Sequence, residues 1–189
     1  MPARPVRSPL SSATGARLRG LREARSLSVS ELARMTGLGK GTLSELESGR
    51  RNPTLQTLYT VTTALGVPLS AALPPGEVQQ PDAAPISGEA IDAVLVDRFV
   101  DTAATTELYR VRIRAGRRQD SEAHAAGVTE HWIVYAGAVA MGPVDRPVRL
   151  GPGDSTRFSA DVPHRYVVEG AVDVASTLLV RYPRSRTNG

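Results

Sequence analysis

A proline-rich break divides the sequence into two parts with different periodicity. The segment from Pro74 to Gly88 contains four prolines and almost no large apolar residues, a composition typical of a linker. Before it, apolar residues recur at helical spacing, as at Leu55, Leu58 and Val61. After it, short alternating or β-branched runs alternate with turn signals. The sequence therefore predicts a multidomain α plus β protein: a disordered arm over 1–13, a helical domain over 14–73, a linker over 74–88, a β domain over 89–183 and a tail over 184–189.

The positive charge is concentrated in the first part of the chain. Residues 1–72 carry ten Arg or Lys against four Glu, a balance of +6, whereas residues 73–189 carry thirteen Arg against fifteen Asp or Glu, a balance of −2. Such an excess suits a polyanionic partner, although a solvated basic face gives the same count. The chain has no cysteine, no apolar signal-peptide core and no run long enough to cross a bilayer. We therefore expect a cytoplasmic protein without a membrane partner.

The stretch VSELARMTGLGKGTLSEL, from Val29 to Leu46, predicts two short helices joined by a turn at Gly37. Glycine adopts the positive φ of such a turn at little cost. The second helix is expected from about Lys40 to Glu47, with Gly39 at its cap. Glycine at 39 and 41 leaves the start of this helix with little side-chain bulk, so its backbone can approach a surface closely. A helix of this kind can enter the major groove of DNA, with the positive end of its dipole toward the phosphates.

Capping signals bound the other predicted helices. Ser28 and Glu31 fit a capping box at the start of the second helix. Asn52 followed by Pro53 is expected to cap and start the fourth helix, and Pro68 suits the first turn of a short fifth helix. The helical domain is therefore predicted to contain five helices.

These segments resemble the helix-turn-helix domain of the lambda repressor-like, xenobiotic-response-element family of transcriptional regulators. LSVSELA, TLSELESG and NPTLQTL carry the resemblance, which covers residues 14–73. It implies a double-stranded DNA operator, and the few base contacts of one such domain favour a homodimer. It also implies an ion pair between Arg22 and Glu47 that ties the first helix to the recognition helix. The residues that it places at DNA are Lys40, Gly41 and Glu45, toward base edges, and Thr42, Ser44, Ser48 and Arg51, near the backbone.

Arg50 and Arg51 follow the recognition helix and are expected to contact backbone phosphates. Glu45 is acidic on the surface that is expected to meet DNA, where it could accept a hydrogen bond from a cytosine amino group or lie at the rim. A module that binds only protein is the alternative interpretation of these helices.

All three histidines lie after the linker. On a strand, Glu122 and His124 would point the same way, and Glu130 would point away from His131. His164 follows a tight turn. If the sheet closes on itself, the side chains that can converge are Glu122, His124, Glu130 and His164, whereas His131 is expected at the surface or in packing.

AGRRQDSEAHAAGVTEHWIVYAG and GPGDSTRFSADVPHRY resemble the two motifs of the cupin family, a small antiparallel double-sheet barrel. In metal-binding cupins the first motif supplies two histidines and a glutamate, and the second motif supplies a third histidine. Here Glu122 replaces the first histidine, and the spacing from His124 to Glu130 is one residue longer than common. The resemblance implies that His124, Glu130 and His164, together with Glu122, could hold Zn²⁺ or another divalent ion. The alternative is a metal-free barrel that hydrogen-bonds an organic ligand.

The barrel mouth of this family admits one small molecule, and further inward candidates for contacting an effector are Tyr109, Trp132 and Tyr166. The alternative for these aromatic residues is packing in the hydrophobic core without any contact to a ligand. The residues Arg110, Arg112 and Arg114 alternate on one strand face, which favours a solvated outer face over an anion site or a subunit contact.

The sequence as a whole predicts a one-component transcriptional regulator, which binds an operator through its helices and senses a small-molecule effector through its β domain. No enzymatic activity is expected. The alternative is a metal-dependent cupin dioxygenase or isomerase that carries a DNA-binding domain, and a third hypothesis is an antitoxin-like module whose β domain holds a protein partner.

Overall fold

The computed structural model describes residues 9–74 and 85–184, with side chains from residue 12 onward, and these residues form two compact units. The first unit is helical. Its elements are α1 (Pro9–Glu23), α2 (Val29–Thr36), α3 (Lys40–Glu47), α4 (Leu55–Ala64) and a 3₁₀ turn (Leu69–Ala72). None of the described helices is long and apolar enough to cross a membrane.

The boundaries of the helical unit differ from the predicted ones at three places. α1 begins at Pro9, so residues 9–13 are helical rather than part of a disordered arm, and residues 1–8 lie outside the described residues. Proline suits this position because its missing N–H is not needed in the first helical turn. α4 begins at Leu55, two residues after Pro53, so the predicted cap at Asn52 and start at Pro53 are too early. The predicted fifth helix is a four-residue 3₁₀ turn, which ends at Leu73 in an extended conformation, because the helical region is disfavoured for a residue before a proline, here Pro74.

The turn between α2 and α3 has the predicted construction. Gly37 lies in the left-handed region, with φ of 69° and ψ of 2°, and Gly39 caps α3 in an extended conformation. At the start of α2 the Ser28 N–H donates to Glu31 Oε2 at 2.7 Å, and the Glu31 N–H donates to Ser28 Oγ at 3.1 Å. The capping box is therefore present, and the two helices pack through buried leucines that include Leu32 and Leu43.

In the second unit, the described residues form ten strands. They are β1 (Ile86–Ser87), β2 (Ile91–Val100), β3 (Ala104–Ile113), β4 (Arg118–Ser121), β5 (Thr129–Ala136), β6 (Val139–Pro143), β7 (Val148–Leu150), β8 (Ser155–Ser159), β9 (His164–Val167) and β10 (Val174–Pro183). β1 lies inside the predicted linker, of which residues 75–84 are outside the described part of the chain. In the predicted tail only residue 184 is described, and residues 185–189 are outside.

The strands form two antiparallel sheets. The six-stranded sheet has the order β1-β2-β3-β10-β5-β8, and the four-stranded sheet has the order β4-β9-β6-β7. The sheets face each other, since the rings of Trp132 on β5 and Tyr166 on β9 lie 5.2 Å apart between centroids. This arrangement confirms the antiparallel double-sheet prediction, while closure into a barrel stays a prediction.

The strand register decides which side chains share the interior. Val180 on β10 lies opposite Glu107 on β3 and opposite Glu130 on β5, and all three are buried. The predicted arginine face points outward, where Arg112 donates to Asp173 at 2.6 Å and Arg114 donates to Asp92 at 2.8 Å. The outer face is thus stabilised by local ion pairs.

Candidate DNA interface and metal centre

The recognition helix α3 has one buried face and one open face. Leu43 and Leu46 are buried against the unit, whereas Lys40, Gly41 and Glu45 are exposed. A Cβ added at Gly41 would meet nothing within 4 Å. The leading edge of α3 is therefore open to a partner and carries little side-chain bulk.

The residues predicted to contact DNA all lie on or directly after this helix. Of these residues, Ser44, Ser48, Arg50 and Arg51 are exposed, whereas Thr42 is half-buried. Glu45 and Arg51 form an exposed ion pair of 3.8 Å between Oε2 and Nη1. Because surface pairs of this length contribute little to stability, Arg51 can exchange this carboxylate for a phosphate at small cost.

A buried ion pair holds α3 against α1, as predicted. The Arg22 guanidinium donates to both carboxylate oxygens of Glu47, at 2.7 and 2.8 Å, and its third contact is the carbonyl of Leu27 at 2.6 Å. The two side chains are only 9% and 8% exposed. The hydrogen bond from Arg22 to Glu47 raises the pKa of Arg22 above its ordinary value, so the guanidinium stays charged.

Two glycines, Gly15 and Gly49, decide how closely α1 approaches α3. A Cβ at Gly15 would lie 2.2 Å from the carbonyl oxygen of Leu46, and one at Gly49 would lie 2.7 Å from the Cα of Ser12. Gly49 also has a φ of 65°, which ends α3 in a left-handed turn. A glycine directly after a helix, such as Gly49, is a helix-end signal in the sequence. The role of Gly15 depends on the crossing of α1 over α3, which the sequence does not show.

In the β unit, His124, Glu130 and His164 come together inside the core. Their ligand atoms all lie within 4.8 Å of one another, and the three residues are buried. His124 Nε2 lies 3.2 Å and His164 Nε2 lies 3.6 Å from the same oxygen, Oε1 of Glu130. The two histidine nitrogens thus lie close to one and the same carboxylate oxygen.

The two carboxylate oxygens of Glu130 have different partners. Oε2 accepts from Trp132 Nε1 at 2.8 Å and from the Tyr166 hydroxyl at 2.7 Å, so Oε1 is left for the histidine side. Burial alone would raise the pKa of Glu130, but the hydrogen bond from His124 and the charges of His164 and His124, with the bond from Tyr166, lower the pKa to about 2. The carboxyl group is therefore ionised at neutral pH.

His164 has one ring nitrogen engaged and one directed at the cluster. Its Nδ1 lies 2.8 Å from the Val162 carbonyl oxygen and donates to it, so in the neutral ring the lone pair is on Nε2. Within the described residues, the buried Nε2 has no hydrogen-bond partner. A histidine held by a carbonyl through one nitrogen, with a lone pair on the other, has the arrangement of a metal ligand.

The structure does not bring every predicted residue to this cluster. Glu122 lies outside it, because β4 ends at Ser121 and the alternation of a strand no longer applies. Tyr109 is buried, its hydroxyl donates to Glu107 Oε2, and Leu178 lies between it and Trp132 in the sheet; its contact with an effector stays a prediction. His131 is exposed, as expected from its place on β5.

Two parts of the site are not predicted from the sequence. The Phe158 ring lies 5.7 Å from the His164 ring, and Phe158 is opposite Glu130 in the pairing of β5 with β8. The turn from Ala160 to Val162 contacts both histidines through its backbone. Backbone contacts leave no signal in the side-chain pattern, and the short, polar β8 gives only a weak strand signal.

Comparisons with known proteins agree on the class of protein. A helix-turn-helix family model, HTH_3, matches residues 18–71. The HTH-type transcriptional regulator SutR of Escherichia coli (strain K12) is 32% identical over 169 residues, which are 89% of this chain and 94% of SutR. This chain belongs to the family of HTH-type transcriptional regulators. The regulator also matches the solved structure of an HTH_3 family transcriptional regulator from Vibrio cholerae, with a TM-score of 0.77 and 27% identity, over 93% of this chain and 98% of that one.

A further solved structure is the Cupin_2 domain of an XRE family transcriptional regulator from Enterobacter cloacae. It matches 42% of this chain and 83% of its own at 30% identity, with a TM-score of 0.40. The predicted helix-turn-helix resemblance of the regulator is confirmed by the family model and by the match to SutR.

Proposed function

We propose that the regulator binds a double-stranded DNA operator as a homodimer through α3, and that its β unit senses a small-molecule effector at the His124, Glu130 and His164 cluster. The observation that carries the DNA part is the open leading edge of α3, where Lys40 is exposed and Gly41 has open space around its Cα. The family to which the chain belongs supports the same conclusion.

The electrostatics of the helical unit support a phosphate-rich partner. Lys40 lies in the first turn of α3, where the unsatisfied N–H groups and the helix dipole already favour an anion. Arg50 and Arg51 lie beyond the other end of α3, so cations flank the helix on both sides. Such contacts position a recognition helix, while the side chains between them read bases.

Gly41→Ala separates folding from DNA binding. The added methyl group has open space in the free protein, so the substitution should stabilise the helix by about 0.4–1 kcal/mol. At the interface the same methyl group would meet DNA, and we expect operator affinity to fall at least tenfold. The operator is first selected from random duplexes, and affinity is then measured by fluorescence anisotropy.

Gly20→Ala is the matched control, because Gly20 is also an exposed helical glycine with open space around it, but on α1. It should stabilise the fold by a similar amount and leave operator affinity unchanged. Equal affinities for the Gly41 variant, the Gly20 variant and the parent protein would reject the proposed role of α3. Arg51→Ala should in addition reduce the slope of log affinity against log salt by about 0.9, as expected for one phosphate contact.

The β-unit cluster fits a divalent metal ion. Two imidazole nitrogens and one carboxylate oxygen are a donor set that suits Zn²⁺ or a late transition metal. The remaining positions on such a metal would be available to oxygen or nitrogen atoms of an effector. Trp132 and Tyr166 hold Glu130 in the orientation that points Oε1 toward the two histidines.

Effector binding would regulate transcription only if the effector has different affinities for two arrangements of the paired DNA-binding units. The corresponding measurement is operator affinity with and without each compound that shifts the fluorescence of Trp132, the single tryptophan of the chain. A compound that changes both signals is an effector. Binding without any effect on operator affinity would reject the sensing role.

A second candidate function follows from the donor set itself. Two histidines and one carboxylate with open positions are also the ligand set of non-haem iron oxygenases. Stoichiometric iron in protein purified without chelator, with oxygen consumption in the presence of a substrate, would favour an enzyme that carries a DNA-binding unit. Metal uptake without oxygen consumption, combined with effector-dependent operator affinity, would favour the sensor.

A further inference from the structure

Of the three clustered residues, His124 alone is outside a strand. Glu130 lies on β5 and His164 begins β9, whereas residues 122–128 form an irregular loop between β4 and β5. The loop contains Gly127 in a left-handed conformation, with φ of 77°. Strand pairing therefore places two of the three side chains, and some other contact must place the third.

That contact is the turn between β8 and β9. The His124 N–H donates to the Ala160 carbonyl oxygen at 2.8 Å, and the Ala160 N–H donates to the Val128 carbonyl oxygen at 2.9 Å. The Gly127 N–H donates to Asp161 Oδ2 at 2.8 Å. The loop is thus attached to the turn near its beginning by His124 and near its end by Gly127 and Val128.

Asp161 is the side chain in this attachment, and it is itself held in place. Its other oxygen, Oδ1, accepts from Ser159 Oγ at 2.6 Å. The hydrogen bonds from Ser159 and Gly127 keep the pKa of Asp161 below its ordinary value, so the side chain accepts both bonds as a carboxylate at neutral pH. The next residue in the turn, Val162, holds Nδ1 of His164 through its carbonyl.

The geometry points to Asp161 as a positioning residue that sets the distance between His124 and His164, and hence the metal affinity of the cluster. Its carboxylate ties the loop that carries His124 to the turn that precedes His164. One short turn, residues 160–162, thereby organises both histidines. This inference rests on the metal site that is proposed above.

The test is a titration of the full-length regulator with Co²⁺ alone, followed by visible absorption, which reports both affinity and ligand geometry. We expect Asp161→Ala to bind Co²⁺ about 10–100-fold more weakly, the usual effect of losing an outer residue that orients a ligand. Its absorption bands should shift toward those of His124→Ala. Asp161→Asn can still accept from Gly127 or Ser159 through its amide oxygen, so it should bind within about threefold of the parent protein and keep the parent spectrum.

Asp154→Ala is the matched control. Asp154 Oδ2 also accepts a glycine N–H in a turn of the same unit, from Gly151 at 2.8 Å, but this turn lies between β7 and β8. The Asp154→Ala variant should therefore bind Co²⁺ with the affinity of the parent protein. Loss of affinity in Asp154→Ala comparable to that in Asp161→Ala would show general loosening and overturn the inference.

Two further outcomes would also overturn it. Unchanged affinity and spectrum in Asp161→Ala would show that His124 is placed without this carboxylate, and an Asp161→Asn variant as weak as Asp161→Ala would assign the effect to charge. If the alanine variant does not fold, the asparagine variant still decides between positioning and charge. Absence of Co²⁺ binding by the parent protein is a different result, since it rejects the metal site itself.

Discussion

Gly15→Ala is expected to destabilise the helical unit, although alanine is the better helix former. Gly15 is in α1 at the point where this helix crosses the end of α3. A Cβ there would lie 2.2 Å from the Leu46 carbonyl oxygen and 3.1 Å from both the Glu47 carbonyl oxygen and the Gly49 nitrogen. All three are backbone atoms, so no side-chain rotation can relieve the clash, and the helices must move apart.

The magnitude follows from two opposing contributions. Replacing a helical glycine with alanine normally stabilises a protein by about 0.4–1 kcal/mol. Forcing an extra carbon into a packed contact costs about 1–3 kcal/mol, and an overlap of this size belongs at the upper end of that range. The net destabilisation is then about 2–2.5 kcal/mol, which lowers Tm by roughly 8–20 °C for a unit of this size.

The assay is thermal unfolding of the full-length protein followed by circular dichroism at 222 nm, which reports the helices. Gly20→Ala in the same helix is the control, because a Cβ there meets nothing within 4 Å. It should raise Tm by about 2–8 °C. If both variants raise Tm equally, the close crossing of α1 over α3 is wrong. Operator affinity should fall in Gly15→Ala alone, since displaced Leu46 and Glu47 move the recognition helix.

The other predictions concern the ion pair, the helix cap and the metal centre. Arg22→Ala should cost about 3–5 kcal/mol, because it leaves Glu47 buried without its cation; urea unfolding measures this, and a change below about 1 kcal/mol would contradict it. Ser28→Ala should cost about 1 kcal/mol by removing the cap of α2, whereas Ser30→Ala, at an exposed position of the same helix, should not lower Tm. Because the pKa of Glu130 is lowered from 4.5 to about 2 in the fold, its ionised form stabilises the β unit fully above about pH 4.5 and loses this effect as the pH falls through about 2. Urea unfolding is measured in chelator by Trp132 fluorescence. The free energy of unfolding of Glu130→Gln should be lower than that of the parent protein at pH 6, and this difference should shrink toward pH 2.5. A difference that does not change with pH would refute the ionised state of Glu130.

The helix-turn-helix part could be predicted in detail because its determinants are local. Ser28 and Glu31 are three residues apart and cap a helix by contacts within one turn. Gly37 is required where the backbone has positive φ, and a glycine between two apolar helical patterns indicates such a turn. The Arg22 and Glu47 pair is not local, and it was predicted from family resemblance rather than from spacing.

The β site could be predicted only in part. The two-residue period placed Glu130 and Trp132 inside and His131 outside, as observed. The same period failed for Glu122, because it assumes that the strand continues, and β4 ends one residue earlier. Where a strand ends depends on which neighbouring strand supplies hydrogen bonds, and that information is not in the segment itself.

The sequence by itself determined the division into a helical and a β part, the caps and turn of the helix-turn-helix, and the basic character of its surface. These features depend on residues within one or two turns of each other or on composition, so they can be predicted without knowledge of the fold. Only the tertiary structure decided that His124 is held by the turn at 160–162, that Oε2 of Glu130 is occupied and Oε1 is left for the histidines, and that Gly15 meets Leu46. Each of these contacts joins residues distant in the chain through backbone atoms or through one chosen oxygen of a carboxylate, and such contacts exist only once the elements have packed.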